Sequence, residues 1–376
     1  MSGLAPVASG PSVSEGWQAL GVGPQRKRNK EALMNRSIHH ALVVLVAAAA
    51  LGGCGRESTA PPASTPATGG GRGMKIGMIA KSSTNPVFLS ARTGAEAAAK
   101  ELGQKHNIPI EIIWLTPPAE DGQVQAQRIT QAVNEGATAV LLSCSDAGKV
   151  TGAINDAVAR GVPVMTFDSD APQSKRFAFF GVDDLKTGQT VMDELAKQMG
   201  ERGTIAILAG NQNAPNLRRR VEGMKQAAAK YPNMTIAGTF YHIETPQDAA
   251  AEVVRVQNAY PQVQGWGMVG GWPLFTQTLL TDLDPRKTKI VAVDALPAQL
   301  AYVEKGLAPV LLAQPTYLWG YESVKRIVDK VQLKTDVPEI IPMELVRVSK
   351  ENLGTWARQL REWGFTDIPE SYLKMP

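Results

Sequence analysis

Residues 75–102, KIGMIAKSSTNPVFLSARTGAEAAAKEL, carry the pattern on which the fold turns. Lys75–Ala80 is a short apolar run of strand length, broken by Ser82-Ser83-Thr84-Asn85-Pro86. From Val87 to Leu102, apolar and alanine positions recur at the three- and four-residue spacing of a helix with one buried face. Strand, polar loop and helix in that order make the first half of a βαβ unit.

The same order repeats downstream. Ile110–Trp114 precedes Gln123–Asn134, Thr138–Leu142 precedes Ala147–Ala159, and Val162–Phe167 closes a first series. A second series runs Thr204–Leu208, Leu217–Lys230, Met234–Thr239, Pro246–Asn258, Gly265–Val269, a helix near Phe275–Leu283, and Lys289–Val293. Alternating strands and helices predict parallel sheets covered on both faces. The expected fold class is therefore α/β, with two doubly wound parallel-sheet lobes. No short-period repeat of the solenoid kind is present. Ala308–Ala313 reads as a strand, Tyr317–Val331 as a helix returning to the first lobe, and Met343–Val348 and Thr355–Trp363 as a finishing strand and helix. The chain would cross between lobes near Gly181–Asp184, near Gln314–Pro315 and near residues 340–348. Several crossings make a hinge that permits closure and restricts other motions.

Working outward to the N-terminus, the apolar run Ala41–Leu51 ends in Leu51-Gly52-Gly53-Cys54. A short apolar segment, small residues and one cysteine read as a lipoprotein export signal, with Cys54 taking the lipid. The run falls short of the ~20 apolar residues a bilayer span needs. A buried core helix is the competing reading, opposed by Arg36 before the run and the Pro/Gly/Ser/Thr-rich Ser58–Gly73 after it. Met34-Asn35-Arg36 reads as the natural start, with a long basic n-region as the alternative. The expected organisation is a signal region at 1–53 and a tether at 54–73. An N-terminal lobe at 74–182 plus 315–345 and a C-terminal lobe at 183–314 plus 346–376 would follow. The folded part would lie in the periplasm or at the cell surface, held to a membrane by its lipid alone.

The formal charge of +4 is misleading, because residues 1–53 carry five Lys/Arg and two Asp/Glu. The remaining body, with 34 basic and 33 acidic residues, is nearly neutral and lacks the footprint of a nucleic-acid binder. Once Cys54 is lipidated only Cys144 remains, which excludes an internal disulfide. More than 300 residues can bury cores without one.

In open parallel sheets, ligands bind beyond the carboxyl ends of the strands. Those ends lead here to Asn85, Ser143, Asp168, Arg220 with its neighbours, Trp272, Asp294 and Gln314. Carboxylates, amides, a hydroxyl and a guanidinium suit a neutral polyhydroxylated ligand, whose hydroxyls both donate and accept. Trp272 and Phe88 would stack on the apolar face of a sugar ring. Each residue alone also has a plainer reading. An aspartate after a strand is often a helix cap, Asn85 before Pro86 a turn or cap, Arg220 a partner for Glu222, and Trp272 core packing. Their recurrence at successive strand ends favours a site.

At these residues the chain resembles the type I periplasmic binding proteins of sugar ABC transporters, the ribose-binding-protein-like family. KIGMIAKSSTNPVFLSARTGAEAAAKELG is similar to its opening strand, loop and helix. GVPVMTFDSDAP, SKRFAFFGVDD, LRRRVEGMKQAAAKYP and KIVAVDALPAQLAYVEKG follow in the family's order, and the resemblance covers about residues 74–350. It implies ligand contacts from Asn85, Phe88, Asp168, Arg220, Asp294 and Gln314. Ser143 stands where an asparagine is usual, Ser169 where an arginine often follows the aspartate, and Gly270 near an expected asparagine. Val87 replaces one of two aromatics.

The function expected is a lipid-anchored receptor that captures a pentose or hexose between two lobes and delivers it to an ABC permease. The alternative is the same closure read by a receptor kinase or chemoreceptor. A glycosidase using Asp168 and Asp294 ranks below both. The mature chain has only His106 and His242 and no nucleophile–base or metal-ligand spacing. The sequence therefore calls for no catalytic residue, cofactor or metal, and for a protein that works as a monomer.

Overall fold

The computed structural model describes residues 73–375. The apolar run Ala41–Leu51, Cys54 and the Ser58–Gly73 tether up to residue 72 lie outside the described residues.

The first series opens with β1 (Met74–Ile79), α1 (Pro86–His106), β2 (Ile110–Trp114), α2 (Gly122–Asn134), β3 (Ala139–Leu142), α3 (Ala147–Ala159), β4 (Val164–Phe167) and β5 (Ala178–Gly181). The second comprises α4 (Asp184–Met199), β6 (Gly203–Ala209), α5 (Pro215–Ala228), β7 (Met234–Tyr241), α6 (Pro246–Ala259), β8 (Val263–Met268) and β9 (Lys289–Val293). It ends with α7 (Leu300–Lys305) and β10 (Val310–Ala313). After these come α8 (Thr316–Val331), β11 (Ile340–Pro342), β12 (Val346–Val348) and α9 (Leu353–Glu362).

The strands form two six-stranded sheets, ordered β11-β5-β4-β3-β1-β2 and β12-β10-β9-β8-β6-β7. All pairings are parallel except that of β12 with β10. AVLL of β3 and VMTF of β4 are buried at every position, as strands sandwiched by helices on both faces must be. On one face of the first sheet α1 and α8 bury Met78, Phe88, Leu141, Phe167 and Trp319 together. On the other, α2 and α3 bury Ile129, Val140, Leu142 and Ile154. The second lobe packs around Ile207, Met224, Trp266, Val291 and Leu311.

Three links join the lobes: Gly181 to Asp184, Ala313 to Thr316, and Pro342 to Val346. The second link carries Gln314. Because β2 and β7 are the edge strands furthest from these links in their sheets, the loops after them face each other at the side of the cleft remote from the hinge.

The helix expected near Phe275–Leu283 does not form. Trp272–Leu274 makes one turn of 3-10 helix, and the chain then runs irregularly with Leu280 at φ 56°. Thr276 and Thr278 pair their hydroxyls at 3.0 Å, and Tyr302 donates its hydroxyl to the carbonyls of Thr276 and Leu279. Hydroxyl side chains and a buried tyrosine here take the backbone bonds a helix would use. Helices α4 and α7 and strand β11 were absent from the sequence pattern. β11 has only one partly buried residue between two exposed ones, so it shows no apolar run.

Candidate functional site

Two aspartates mark the equivalent strand ends of the two lobes. Asp168, just past β4, has φ 57°, and Asp294, just past β9, has φ 71°. A non-glycine residue in this left-handed region costs of order 1–3 kcal/mol, and such strain is held only where the surroundings over-determine it. In the second lobe that surrounding is a buried glutamine. Gln299 donates to Asp294 O at 3.1 Å and accepts from Leu296 N at 2.7 Å. Trp356 of α9 adds its indole N–H to Ala295 O at 2.7 Å. In the first lobe Gln125 of α2 clamps the ends of β1 and β3. It donates to Ala80 O at 3.0 Å and Ser143 O at 2.7 Å, and accepts from Ser145 N at 2.8 Å.

Neither aspartate caps a helix. Asp168 accepts from Ser143 Oγ at 2.7 Å and from Asn216 Nδ2 at 3.1 Å, while Lys81 Nζ stands 3.6 Å away. Lys81 also donates to Asn216 Oδ1 at 3.2 Å. Asn216 belongs to α5, so these bonds tie the two lobes to each other across the cleft. Burial pulls the Lys81 ammonium down, but Asp168, Glu120 and Glu244 together outweigh it and leave the group above its ordinary range.

The second half of the cluster centres on Arg220, 2% exposed. Its Nε donates to Asp184 Oδ1 at 2.8 Å, one Nη to Val269 O at 3.0 Å and the other to Gln314 Oε1 at 2.8 Å. Gln314 passes the chain on, donating to Asp294 Oδ1 at 2.9 Å, and Gly271 N donates to Asp294 Oδ2 at 3.3 Å. Arg220 thus engages the head of α4, a strand end and a hinge link at once. Burial pushes the Asp184 carboxyl up to about 6 against the pull of Arg220. Burial likewise raises Asp294, opposed by the Gln314 hydrogen bond and Arg220. It is Arg219 that pairs with Glu222, at 3.0 Å.

The arrangement places Ser143 and Asp168 in one buried hydrogen-bonded cluster and Arg220, Asp294 and Gln314 in a second, close enough that the Asp168 charge acts on Arg220, Asp184 and Asp294. Asn85 is the N-cap of α1, accepting from Val87 N at 3.2 Å, and is buried beside the cleft loop. Phe88 is packed in an aromatic cluster, 6.1 Å from Trp319 and 6.5 Å from Phe167 between ring centroids. Trp272 is also buried, its indole N–H donated to Glu244 Oε2 at 3.1 Å and its ring edge-on to His242. Neither aromatic presents an open face. Asp170 is withdrawn as well, held by Arg176 through two bonds of 2.7 and 2.8 Å.

Beside the network an open groove of about 850 Å³ lies between the loops after β1, β2 and β3 and those after β6 and β7. Ser82, Glu120, Ser145, Asn211, His242 and Glu244 are among its walls, whereas Asp168, Arg220 and Asp294 are not. Lys81, Glu120, Asp184, Asn216 and Glu244 were all missed by sequence reasoning. Lys81 directly follows β1 and Asp184 opens α4, so their placement at element ends was the available signal. The donor to Glu120, Asn211, lies in the opposite lobe, and those to Glu244, Asn211 and Trp272, lie some thirty residues away along the chain, which no local pattern announces.

Two doubly wound sheets, three hinge links and a polar network at the strand ends define a two-lobed cleft protein. The chain belongs to the periplasmic binding protein family: the periplasmic binding protein domain matches residues 76–335. The fold is that of the type I members, and its relatives are solute-binding proteins rather than enzymes. Ribose import binding protein RbsB of Salmonella typhimurium (strain LT2) is 24% identical over 277 residues, covering 73% of this chain and 90% of that protein. RbsB of Bacillus subtilis (strain 168) is 28% identical over 153 residues, 41% of this chain and 48% of its own length. Among solved structures, a solute-binding protein from Burkholderia graminis in complex with D-arabinose superposes with a TM-score of 0.69 at 24% identity, over 75% of this chain and 96% of that one. The XylFII–LytSN complex gives 0.67 at 26% identity, over 74% and 98%. Among the described residues no helix is long and apolar enough to cross a membrane.

Proposed function

We propose that this protein is an extracytoplasmic receptor that captures a monosaccharide between its lobes and presents the closed form to an ABC permease. The observation that carries the reading is the burial of two neighbouring polar clusters, Asp168 with its partners and Arg220 with Gln314 and Asp294, drawn from both lobes and a hinge link. Asp168 and Asp294 would accept from sugar hydroxyls, Arg220 would donate, and Ser143 and Gln314 would hold the carboxylates in place. Asn85 would add an amide from the first loop, whereas Phe88 and Trp272 would brace the walls from behind, each packed within its own lobe. Asn216 and Lys81, which now bind Asp168, would yield part of its acceptor capacity to the guest. Closure is then a population shift, because only the closed form offers both sets of contacts. Relatives named as ribose-binding support a sugar as the guest.

Calorimetric titration with a panel of pentoses and hexoses tests this. One sugar should bind in the micromolar range or tighter, and Asp168→Asn should weaken it at least about tenfold, as expected for a charge-assisted bond. Silence across the whole panel would remove the proposal.

The anchor belongs to the same reading: Cys54 is acylated after cleavage and tethers a monomeric receptor to the membrane. Mass spectrometry of the mature N-terminus tests it, and a Cys54→Ser chain should be released from the membrane fraction. A sensory role, in which the closed form is read by a partner protein, is the second reading; XylFII, which has a similar structure, forms a complex with LytSN. Reporter induction without uptake of the bound sugar would favour sensing over transport.

A further inference from the structure

The open groove carries chemistry that a neutral sugar leaves unused. It brings Glu120, from the loop after β2, and Glu244, from the loop after β7, one carboxylate from each lobe, to the same residue: Asn211 donates its amide to Glu120 Oε2 at 3.4 Å and its backbone N–H to Glu244 Oε1 at 2.8 Å. Glu244 is well partnered, accepting from Asn211 N at 2.8 Å and from the Trp272 indole at 3.1 Å. Gly210 makes this possible, since a Cβ there would lie 2.5 Å from Glu244 Oε1. Glu120 is not well served. Its Oε2 has only the Asn211 amide at 3.4 Å, and its buried Oε1 has no donor at all. Two carboxylates sharing a site do not both ionise freely. Burial, and then the charge of Glu244, push the Glu120 carboxyl well above the ordinary range.

An independent feature of the same wall points to a missing donor. Ser145 is 1% exposed and lines the groove, yet its Oγ has no hydrogen-bond partner. A buried hydroxyl left unmatched costs about 1–3 kcal/mol, so a partner for it in the groove would be stabilising. The wider charge balance agrees. Asp168, Asp184, Asp294, Glu120 and Glu244 are set against Lys81 and Arg220, five acidic groups to two basic ones. Asp121 and Asp146 on the same wall are occupied as helix caps, and Lys149 is exposed. An anionic guest would add to the excess, and a neutral one would leave it untouched.

We propose that the groove receives an ammonium group carried by the saccharide, held between Glu120 and Glu244 with Ser145 Oγ as third acceptor, so that an amine-bearing saccharide is preferred to its neutral counterpart. This rests on the cleft being a saccharide site, as proposed above. An ammonium offers three donors and no acceptor; the two carboxylates offer acceptors only, and Ser145 Oγ can accept while its own proton turns to a carboxylate oxygen. The size fits as well: 850 Å³ lies near the top of the roughly 300–1,000 Å³ usual for small-molecule sites, which leaves room beyond a single sugar ring. A metal ion is a poorer match, since among the described residues no three acidic, histidine or cysteine side chains gather as a metal site.

The test is calorimetry at pH 7.5 on the purified chain with matched pairs: glucose and glucosamine, galactose and galactosamine, cellobiose and its diamino counterpart. At least one aminated member should bind about tenfold or more tightly than its neutral partner, the scale of one charge-assisted hydrogen bond. Glu120→Gln and Glu244→Gln should each erase most of that preference, and Glu120→Gln, which touches no residue assigned to the sugar, should leave neutral-sugar affinity within about threefold, the limit expected when no contact to that ligand is lost. Thermal unfolding checks that the variants fold, and the comparison on the unmodified chain decides the matter even if one does not. Neutral sugars binding as well as aminated ones would overturn the ammonium site and leave the saccharide reading standing. No binding by either kind would overturn both. Calcium binding that the two glutamine variants abolish, without amine preference, would overturn it in favour of a metal.

Discussion

Replacing Arg220 by lysine keeps one positive charge and removes a geometry. The guanidinium serves three acceptors on three sides: Asp184 Oδ1 at 2.8 Å, Val269 O at 3.0 Å and Gln314 Oε1 at 2.8 Å. A lysine ammonium is a single point on a flexible stem and cannot reproduce a planar fork. If it settles on Asp184, two buried acceptors lose their donor at about 1–3 kcal/mol each. If it settles elsewhere, a buried ion pair is broken, at about 3–5 kcal/mol. The two routes overlap at about 3–5 kcal/mol, a large share of the ~5–15 kcal/mol that usually separates folded from unfolded protein. Urea unfolding followed by circular dichroism should therefore show a lower midpoint with an unchanged slope. Asp184→Asn in the same chain supplies a control. Because the two side chains share one contact, the double variant should lose at least about 1 kcal/mol less than the sum of the single losses. Arg220→Lys costing under about 1 kcal/mol, with additive single losses, would refute the claim that this guanidinium organises the network.

The raised carboxyls make stability pH-dependent with a definite sign. Asp184 titrates near 3.8 unfolded and about 6 folded, so the native state holds the extra proton between those values. Its contribution of about 3 kcal/mol is complete below pH ~4 and lost as pH rises through 6; the melting temperature should therefore climb from pH 7 to pH 5, and the climb should shrink in Asp184→Asn. Gly188→Ala would drive a methyl into the Arg220 carbonyl, where α4 meets α5, and Gly94→Ala into the Tyr317 carbonyl, where α1 meets α8. Each should destabilise by about 1–3 kcal/mol in a denaturant titration, but only Gly188→Ala should also weaken ligand binding. Asn216→Ala removes the two shorter of the cross-lobe bonds, to Asp168 and from Lys81, and leaves those of Asn211 at 3.4 Å, so the unliganded protein should show a larger radius of gyration by small-angle X-ray scattering; an unchanged radius would count against the Asn216 bonds holding the lobes together.

What the sequence could reveal follows from where each interaction closes. Strands such as AVLL and VMTF are apolar at every position because both faces of a parallel sheet are covered, and that appears in four consecutive letters. Polar residues at strand ends were legible for the same reason, since the apolar run stops where the cleft begins. Asp168 and Asp294 were visible in this way, but their left-handed backbone was not. Gln125 and Gln299, which support those strand ends, look like ordinary helix-face or turn polar residues. The aromatic reading ran the other way. Phe88 and Trp272 stand at cleft-adjacent positions, yet one packs against Trp319, 231 residues along the chain, and the other gives its indole to Glu244. Long-range partners, not local pattern, decide whether an aromatic at a strand end faces a guest or the core.

The same distinction explains why the cleft is more acidic than its neutral body suggests. Among the described residues several ion pairs are local and exposed, such as Arg219 with Glu222 and Arg92 with Glu96. Screened pairs of this kind contribute little to stability and nothing to the field inside the cleft. Inside, each carboxylate must find its partner across the fold. Arg220 serves Asp184 directly and Asp294 through Gln314, and Lys81 serves Asp168. Glu120 is left with a weak amide contact and another carboxylate. Protonation relieves that imbalance in the unliganded protein, and a cationic guest would relieve it without a proton. The proposed amine preference and the part of the pH dependence that Glu120 adds to that of Asp184 would thus be two expressions of one unpaired charge. Neutralising it by Glu120→Gln should flatten the acid side of the stability profile and reduce amine selectivity together.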